Sequence, residues 1–213
     1  TFAVARVIAR LGSDVQKQRY LPRIIDGSII PAFALTDLTG GSNLRAMSTF
    51  AEPHGDGTWT ITGRKTHTHN CEQATLWLIF ARSPNGQDAL LVENPENMVL
   101  ERSYQPFGFR CVPCHQVHFN KTPAHDDDLL GDPGKGVMAA LTGALNYTRI
   151  GNASIVVGIA SAALDVALSF AMGRRLQEGH VTDQQAVQHM IADLVTEVAS
   201  HERCKRLGRG FLS

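Results

Sequence analysis

The chain has 213 residues, 43% of them hydrophobic and 19% charged, with twenty basic residues balancing twenty acidic ones. That length corresponds to one or two domains that bury about 70% of the unfolded surface, so neither disulfides nor a structural metal are needed for folding. Zero formal charge excludes the electrostatic footprint that nucleic acid or an anionic membrane demands.

The four cysteines, Cys71, Cys111, Cys114 and Cys204, are too scattered for a secreted disulfide framework and point to a reducing compartment. No apolar run is expected to reach the ~18 residues of a membrane span, and no charged region followed by an apolar one opens the chain as a targeting signal. Both ends, Thr1 and Ser213, read as helix interiors without caps, so the chain reads as a piece of something longer.

In chain order, apolar Val4, Val7, Ile8 and Leu11 recur at helical spacing, and Gly12-Ser13 supplies a stop and a new N-cap. A second helix over Ser13 to Ile25 contains Pro22, which predicts a bend or a junction of two short turns, and Gly27 ends it. From Ile29 to about Ala124 the period becomes alternating. The spacing predicts strands over Ala32 to Thr36, Trp59 to Thr62, Leu76 to Ala81, Ala89 to Val92, Val99 to Arg102 and Gln116 to Phe119. Hairpins are expected at Gly55-Asp56-Gly57 and at Pro84-Asn85-Gly86. After the acidic loop His125 to Asp128 and the glycine-rich stretch Gly131 to Gly136, the helical period returns. Val137 to Tyr147 reads as a helix that runs on through Ile155, Ile159, Ala163, Val166 and Phe170. The final helix carries Val187, Met190, Ile191, Leu194, Val195 and Val198 as a core-facing stripe. Helices, then strands, then helices make an α+β chain.

Three generic signals for chemistry fail on spacing. Gly131 to Gly136 reads G-x-x-G-x-G, which is neither a dinucleotide fingerprint nor a phosphate loop, since no Ser or Thr follows Lys135. Cys111, Cys114, His115 and His118 could ligate zinc, but in a strand His115 and His118 point to opposite faces, so no metal site is expected. No G-x-S-x-G elbow marks a hydrolase nucleophile.

A constellation of segments carries more. Gly12-Ser-Asp-Val-Gln-Lys-Gln-Arg-Tyr-Leu-Pro-Arg23, Phe33-Ala-Leu-Thr-Asp-Leu-Thr-Gly-Gly-Ser-Asn43 and Gly63-Arg-Lys-Thr-His-Thr-His-Asn70 are followed by four more. These are Gly108-Phe-Arg110, Leu130-Gly131 with Gly134-Lys-Gly136, Asn146-Tyr-Thr-Arg-Ile-Gly151 and Gln185-Ala-Val-Gln-His-Met-Ile-Ala-Asp193. Together, in this order and over essentially the whole chain, they resemble the acyl-CoA dehydrogenase family. The resemblance implies three blocks: residues 1–28 as the end of an N-terminal helical domain, 29–130 as an antiparallel middle β domain, and 131–213 as part of a C-terminal helical bundle. It also implies FAD as cofactor, lying between the β domain and the bundle.

By the same resemblance, the segment containing Phe33, Leu35, Thr36, Gly41 and Ser42 lines the flavin edge, with the Thr36 hydroxyl on its pyrimidine side. Amides and a hydroxyl aimed there stabilise the charge that reduction creates. His67, Thr68 and His69 stand where the family carries an aromatic, an aliphatic and a hydroxyl residue before the Asn. Two imidazoles there change the electrostatics of the reactive edge and leave open a role of their own as acid or base. Arg174 and Gln185 match positions that reach the flavin pyrophosphate of a neighbouring subunit, whereas Leu176, Gln177 and Glu178 depart from that pattern. Ser42, Asn146, Thr148 and Arg149 match the substrate side. Thr148 replaces the catalytic Glu of some subfamilies, and in the others that Glu lies beyond Ser213.

The implied activity is FAD-dependent oxidation of an acyl thioester, on CoA or a carrier protein, to its α,β-unsaturated product. Electrons would pass to an acceptor such as an electron-transfer flavoprotein, in a homodimer or homotetramer of the bacterial cytoplasm or mitochondrial matrix. Two alternatives stay open: a flavin-dependent monooxygenase on the same fold, and a homologue without flavin that keeps a binding or scaffold role.

Overall fold

The structure, a computed structural model, describes residues 1–210, with side chains for 1–140 and 142–204. Residues 211–213, the end of the third expected block, lie outside the described residues. The chain forms two compact units, 1–145 and from 146 onward.

The first unit begins with α1 (Phe2–Leu11) and α2 (Asp14–Ile25). Gly12 N–H donates to Ile8 O at 2.8 Å and closes α1. The Ser13 hydroxyl then accepts from Gln16 N while the Gln16 side chain accepts from Ser13 N, a reciprocal cap for α2. Pro22 sits inside α2 without dividing it, at the cost of one helical hydrogen bond.

Seven strands follow: β1 (Pro31–Ala34), β2 (Phe50–Pro53), β3 (Thr58–His69), β4 (Leu76–Ser83), β5 (Gly86–Glu93), β6 (Met98–Tyr104) and β7 (Cys114–His125). They form one sheet in the order β1, β4, β2, β3, β7, β6, with β5 also on β4. The β4–β5 hairpin turns through Pro84-Asn85, as the sequence predicts. The α+β class stands, but β1 and β2 run parallel to β4, so the sheet is mixed where an antiparallel one was expected. The long excursion from β1 to β4, which carries the β2–β3 hairpin, supplies the crossover that parallel pairing requires.

Apolar alternation does not mark β2, because it is only four residues long and ends in Pro53; its pairing with β3 holds it. β3 and β7 each run twelve residues, not four, because their polar halves Arg64 to His69 and Asn120 to His125 are held by neighbouring strands.

Both faces of β4 are buried. Leu76, Leu78 and Phe80 join one core cluster with Val4, Val7 and Ile8 of α1, and Trp77, Ile79 and Ala81 join the other with Trp59, Ile61 and Phe119. Two-sided burial explains the continuous apolar run Leu76 to Ala81. α2 is tied down by Arg19 and Arg23, each 2.8 Å from Glu93 of β5, and by Gln16 Nε2, which donates to Asp127 O and Leu129 O. The unit closes with α3 (Gly136–Ala140) and a π-helical turn, Leu141–Leu145.

The second unit contains α4 (Asn146–Gly173) and α5 (Gln185–Gly210), joined by a turn in which Gly179 has φ of 82°. Met190, Leu194 and Val195 of the expected core-facing stripe are exposed, a correction to that expectation. Among the described residues of this unit, α4 is the one long helix packed against α5. The expectation that no apolar run reaches membrane-spanning length is also corrected. The helical stretch 136–173 has a mean hydropathy of 2.1 over its most apolar window and by length and composition could cross a membrane. The Ile, Val, Leu, Phe and Ala residues carry that value, and the Gly and Ser between them keep the run from being unbroken.

One glycine in β3 governs how the sheet closes over the segment between β1 and β2. Gly63 has φ of 150°, and a Cβ there would stand 2.6 Å from Thr49 Cα. Gly63→Ala should therefore destabilise the first unit by about 2 kcal/mol or more, through clash and backbone strain together. A thermal melt that moves by less than about 1 °C would contradict this close approach.

Candidate functional site

The segment leaving β1 turns sharply and is held against the middle of β3. Thr66 N donates to Thr36 O at 2.8 Å, and Gly40 N donates to Asp37 O at 3.2 Å. At the turn, Asp37 is 2% exposed and its carboxylate collects five donors. Ser48 N at 2.5 Å, Ser48 Oγ at 2.8 Å and Thr49 N at 2.8 Å bind Oδ2, while Thr49 Oγ1 at 3.0 Å and Lys65 Nζ at 2.5 Å bind Oδ1. The Lys65 ammonium, fully buried, also donates to Leu35 O at 2.9 Å. Burial opposes ionisation of Asp37, but the Lys65 charge and the converging hydrogen bonds outweigh it and hold the carboxyl below its ordinary pKa. Burial draws the Lys65 ammonium down to about 8 against the attraction of Asp37.

This arrangement places the first group of sequence-predicted residues. Phe33 packs against Phe80 with ring centroids 5.2 Å apart, and Leu35 is buried in the core, so both offer their main chain to the site. Thr36 is half-buried, and Gly41 and Ser42 are exposed. A Cβ on Gly41 would come 3.2 Å from Thr36 Cγ2, so the bare glycine leaves the Thr36 side chain uncovered.

His67 and His69 owe their placement to a bulge. Lys65 pairs with Val117 and Thr68 with His115, so two residues of β3, Thr66 and His67, stand against one of β7, Gln116. His67, with φ of 51°, absorbs the extra residue. Before the bulge Trp59, Ile61 and Lys65 face inward; after it Thr66 and Thr68 are buried while His67 and His69 turn to solvent. His69 is held below its ordinary pKa by burial and then by the neighbouring His67. The result places Thr36, whose carbonyl accepts from Thr66 N, with Gly41 beside it, at the strand position where the bulge turns His67 and His69 outward.

Behind them, Cys71 Sγ donates to Thr68 O at 2.7 Å, and burial pushes the thiol up to about 12, which leaves it inert. Burial also raises Cys114. Among the described residues no group of three His, Cys, Asp or Glu is placed to hold a metal.

The remaining predicted residues belong to the second unit. Asn146 and Arg149 are exposed and Thr148 half-buried in the first turn of α4; Arg174 lies just past its end; Gln185 opens α5.

Two comparisons settle the kinship. The family model for the acyl-CoA dehydrogenase middle domain matches residues 32–122, and that for the acyl-CoA dehydrogenase C-terminal domain matches residues 134–204. The chain belongs to the acyl-CoA dehydrogenase family.

It is 30% identical over 201 residues to the glutaryl-CoA dehydrogenase of Desulfococcus multivorans, covering 91% of this chain and 51% of that protein. It is 32% identical over 199 residues to the mitochondrial short-chain specific acyl-CoA dehydrogenase of Rattus norvegicus, covering 91% and 48%. Among solved structures, a glutaryl-coenzyme A dehydrogenase in complex with glutaryl-CoA superposes with a TM-score of 0.90 at 27% identity, over 98% of this chain and 54% of that one. The chain thus spans about half the length of the relatives it matches.

Sequence reasoning missed the functional weight of Lys65, Ser48 and Thr49. A signal for Lys65 was present: it shares the inward parity of Trp59 and Ile61, and a lysine on that side of a strand needs a buried partner. Lys65→Met should cost about 3–5 kcal/mol in chemical denaturation, because it strands the buried Asp37 charge. The combined Asp37→Leu, Lys65→Met variant should lose less than Lys65→Met alone; a larger loss would contradict the pairing. Because the Asp37 pKa is lowered on folding, its stabilisation is complete above the ordinary carboxylate range near ~4 and drains away as pH falls through the lowered value. The acid limb of the stability curve should flatten in Asp37→Asn and stay unchanged if Asp37 carries no such linkage.

Proposed function

We propose that this chain is the central part of a FAD-dependent acyl-CoA dehydrogenase, an oxidoreductase that converts an acyl thioester to its α,β-unsaturated product. The observation that carries the reading is the docking of Thr36 and Asp37 on Thr66 and Lys65 of β3, which puts the Thr36–Gly41 turn next to the bulge that exposes His67 and His69. That set fits a flavin. Thr36, with the backbone amides of 36–42, would hold the pyrimidine side, and the missing Cβ of Gly41 leaves room for a flat ring to approach. Ser42 would reach phosphate, and His67 and His69 would border the reactive edge. FAD, when bound, supplies the hydride acceptor.

In this reading Arg149 and Asn146 hold the thioester and its carrier, Ser42 and Thr148 line the substrate side, and Arg174 and Gln185 reach the flavin pyrophosphate of a neighbouring subunit. No carboxylate of this chain is assigned the α-proton. That step belongs to a group outside it, since Thr148 has no basic function. We read the stretch 136–173 as a bundle helix and not a membrane span, supported by the C-terminal domain match over 134–204 and by Asn146, Asn152 and Asp165 along it. Its exposed apolar faces, with those of α5, support a larger bundle and a homodimer or homotetramer. The relatives' mitochondrial and bacterial origins support a mitochondrial matrix or bacterial cytoplasmic location, and a structural neighbour that is itself an electron transferring flavoprotein supports electron delivery to a protein of that kind.

The test is optical. The full-length protein should take up FAD and, mixed anaerobically with butyryl-CoA or glutaryl-CoA, lose the flavin absorbance. Failure to bind FAD, or binding without bleaching by any short acyl-CoA, overturns the proposal. His69→Thr, which restores the family's hydroxyl, should bind FAD more tightly than the parent if His69 mars the flavin site; equal or weaker binding would contradict that reading.

A further inference from the structure

β7 carries a bulged partner on each side at the same level. Opposite Gln116, β3 inserts its extra residue at 66–67, and β6 inserts one at 101–102, since Leu100 pairs with Val117 and Ser103 with His115. Paired bulges re-aim the side chains that follow. Tyr104 of β6 thereby reaches across β7 and stacks on His67, with ring centroids 4.6 Å apart and planes 11° from parallel. Arg102 lies 5.3 Å from the centre of the same tyrosine ring. The buried Thr66 hydroxyl lies between the two rings' polar atoms, 2.7 Å from Tyr104 Oη and 3.1 Å from His67 Nδ1.

We propose that Tyr104 is a positioning residue that, through Thr66, fixes both the plane and the tautomer of His67. The tyrosine hydroxyl is a far stronger acid than an aliphatic alcohol, and of the three groups in this relay the imidazole nitrogen is the strongest acceptor. The hydrogen bonds therefore run from Tyr104 O–H to Thr66 Oγ1 and from Thr66 O–H to His67 Nδ1. Nδ1 is the acceptor, and Nε2 carries the proton. His67 thus presents a fixed N–H donor from the outward side of the bulge, where a freely turning imidazole would present either nitrogen. The stack restrains χ1 and χ2 at a residue whose left-handed backbone would otherwise be adaptable. On the flavin reading above, on which this second half rests, that donor serves the ring edge of the cofactor, and Tyr104 acts on it only through His67.

The two halves separate experimentally. In the protein without added FAD, labelled with ¹⁵N-histidine and assigned with His67→Gln, long-range proton–nitrogen spectra at about pH 8 should show His67 protonated at Nε2. Tyr104→Phe, which keeps the stack, and Thr66→Val, which removes the bridge, should each shift His67 toward a tautomer mixture. The same tautomer in all three proteins overturns the proposal, and so does a parent protonated at Nδ1. In FAD titrations Tyr104→Leu should weaken binding by about fivefold, the worth of one aromatic stack, with Tyr104→Phe closer to the parent. Unchanged FAD affinity in Tyr104→Leu, with a tautomer shift in Tyr104→Phe, overturns the flavin half alone. A parent that binds no FAD refutes the proposed function while leaving the tautomer result to decide the first half.

Discussion

A carboxylate with five donors around it organises the first unit. Asp37 sits where the chain leaves β1, and its two oxygens bind Ser48 and Thr49 on one side and Lys65 on the other. Those residues come from three different stretches of chain: the exit of β1, the entry to β2 and the middle of β3. Holding a buried charge is costly without such neighbours, and with them the same charge fixes geometry. The excursion between β1 and β2 cannot slide, because Thr49 is also pressed against the bare Cα of Gly63. Thr36 and Gly41 follow from this anchorage, since their turn hangs directly on Asp37.

The same lysine marks the last regular position of β3 before its bulge. Up to Lys65 the strand keeps one parity; after it the parity reverses, and two histidines that would have faced the core face outward. The ion pair and the bulge therefore act together: one brings segment 36–42 to the strand, the other turns His67 and His69 out beside it. Tyr104 completes the arrangement from the far side of β7.

Features decided by neighbours in sequence were legible in advance. Ser13 reads as a cap, Pro84-Asn85-Gly86 as a hairpin turn, and Leu76 to Ala81 as a strand. Features decided by distant partners were not. β2 is too short and polar to announce itself and exists because β3 pairs with it. The polar half of β3 carries no alternation, since a buried lysine and a bulge replace the usual apolar residues. The stripe on α5 has the spacing of a core face, yet among the described residues Met190, Leu194 and Val195 of it stay exposed. For the site, Thr36, Gly41, His67 and His69 came from motif order, whereas Ser48, Thr49 and Tyr104 lie in stretches without motifs and are joined to them only in space.

If Asp37 and Lys65 hold the site together, their loss should be felt locally before it is felt globally. Native-state hydrogen exchange on Lys65→Met, compared with the parent, tests this directly. The amides of Ser48, Thr49 and Thr66, which donate to Asp37 and Thr36, should lose most of their protection while Leu78 and Phe80 in β4 retain more of theirs. Equal losses throughout the unit, or full protection kept at Ser48, Thr49 and Thr66, would contradict the role given to this ion pair.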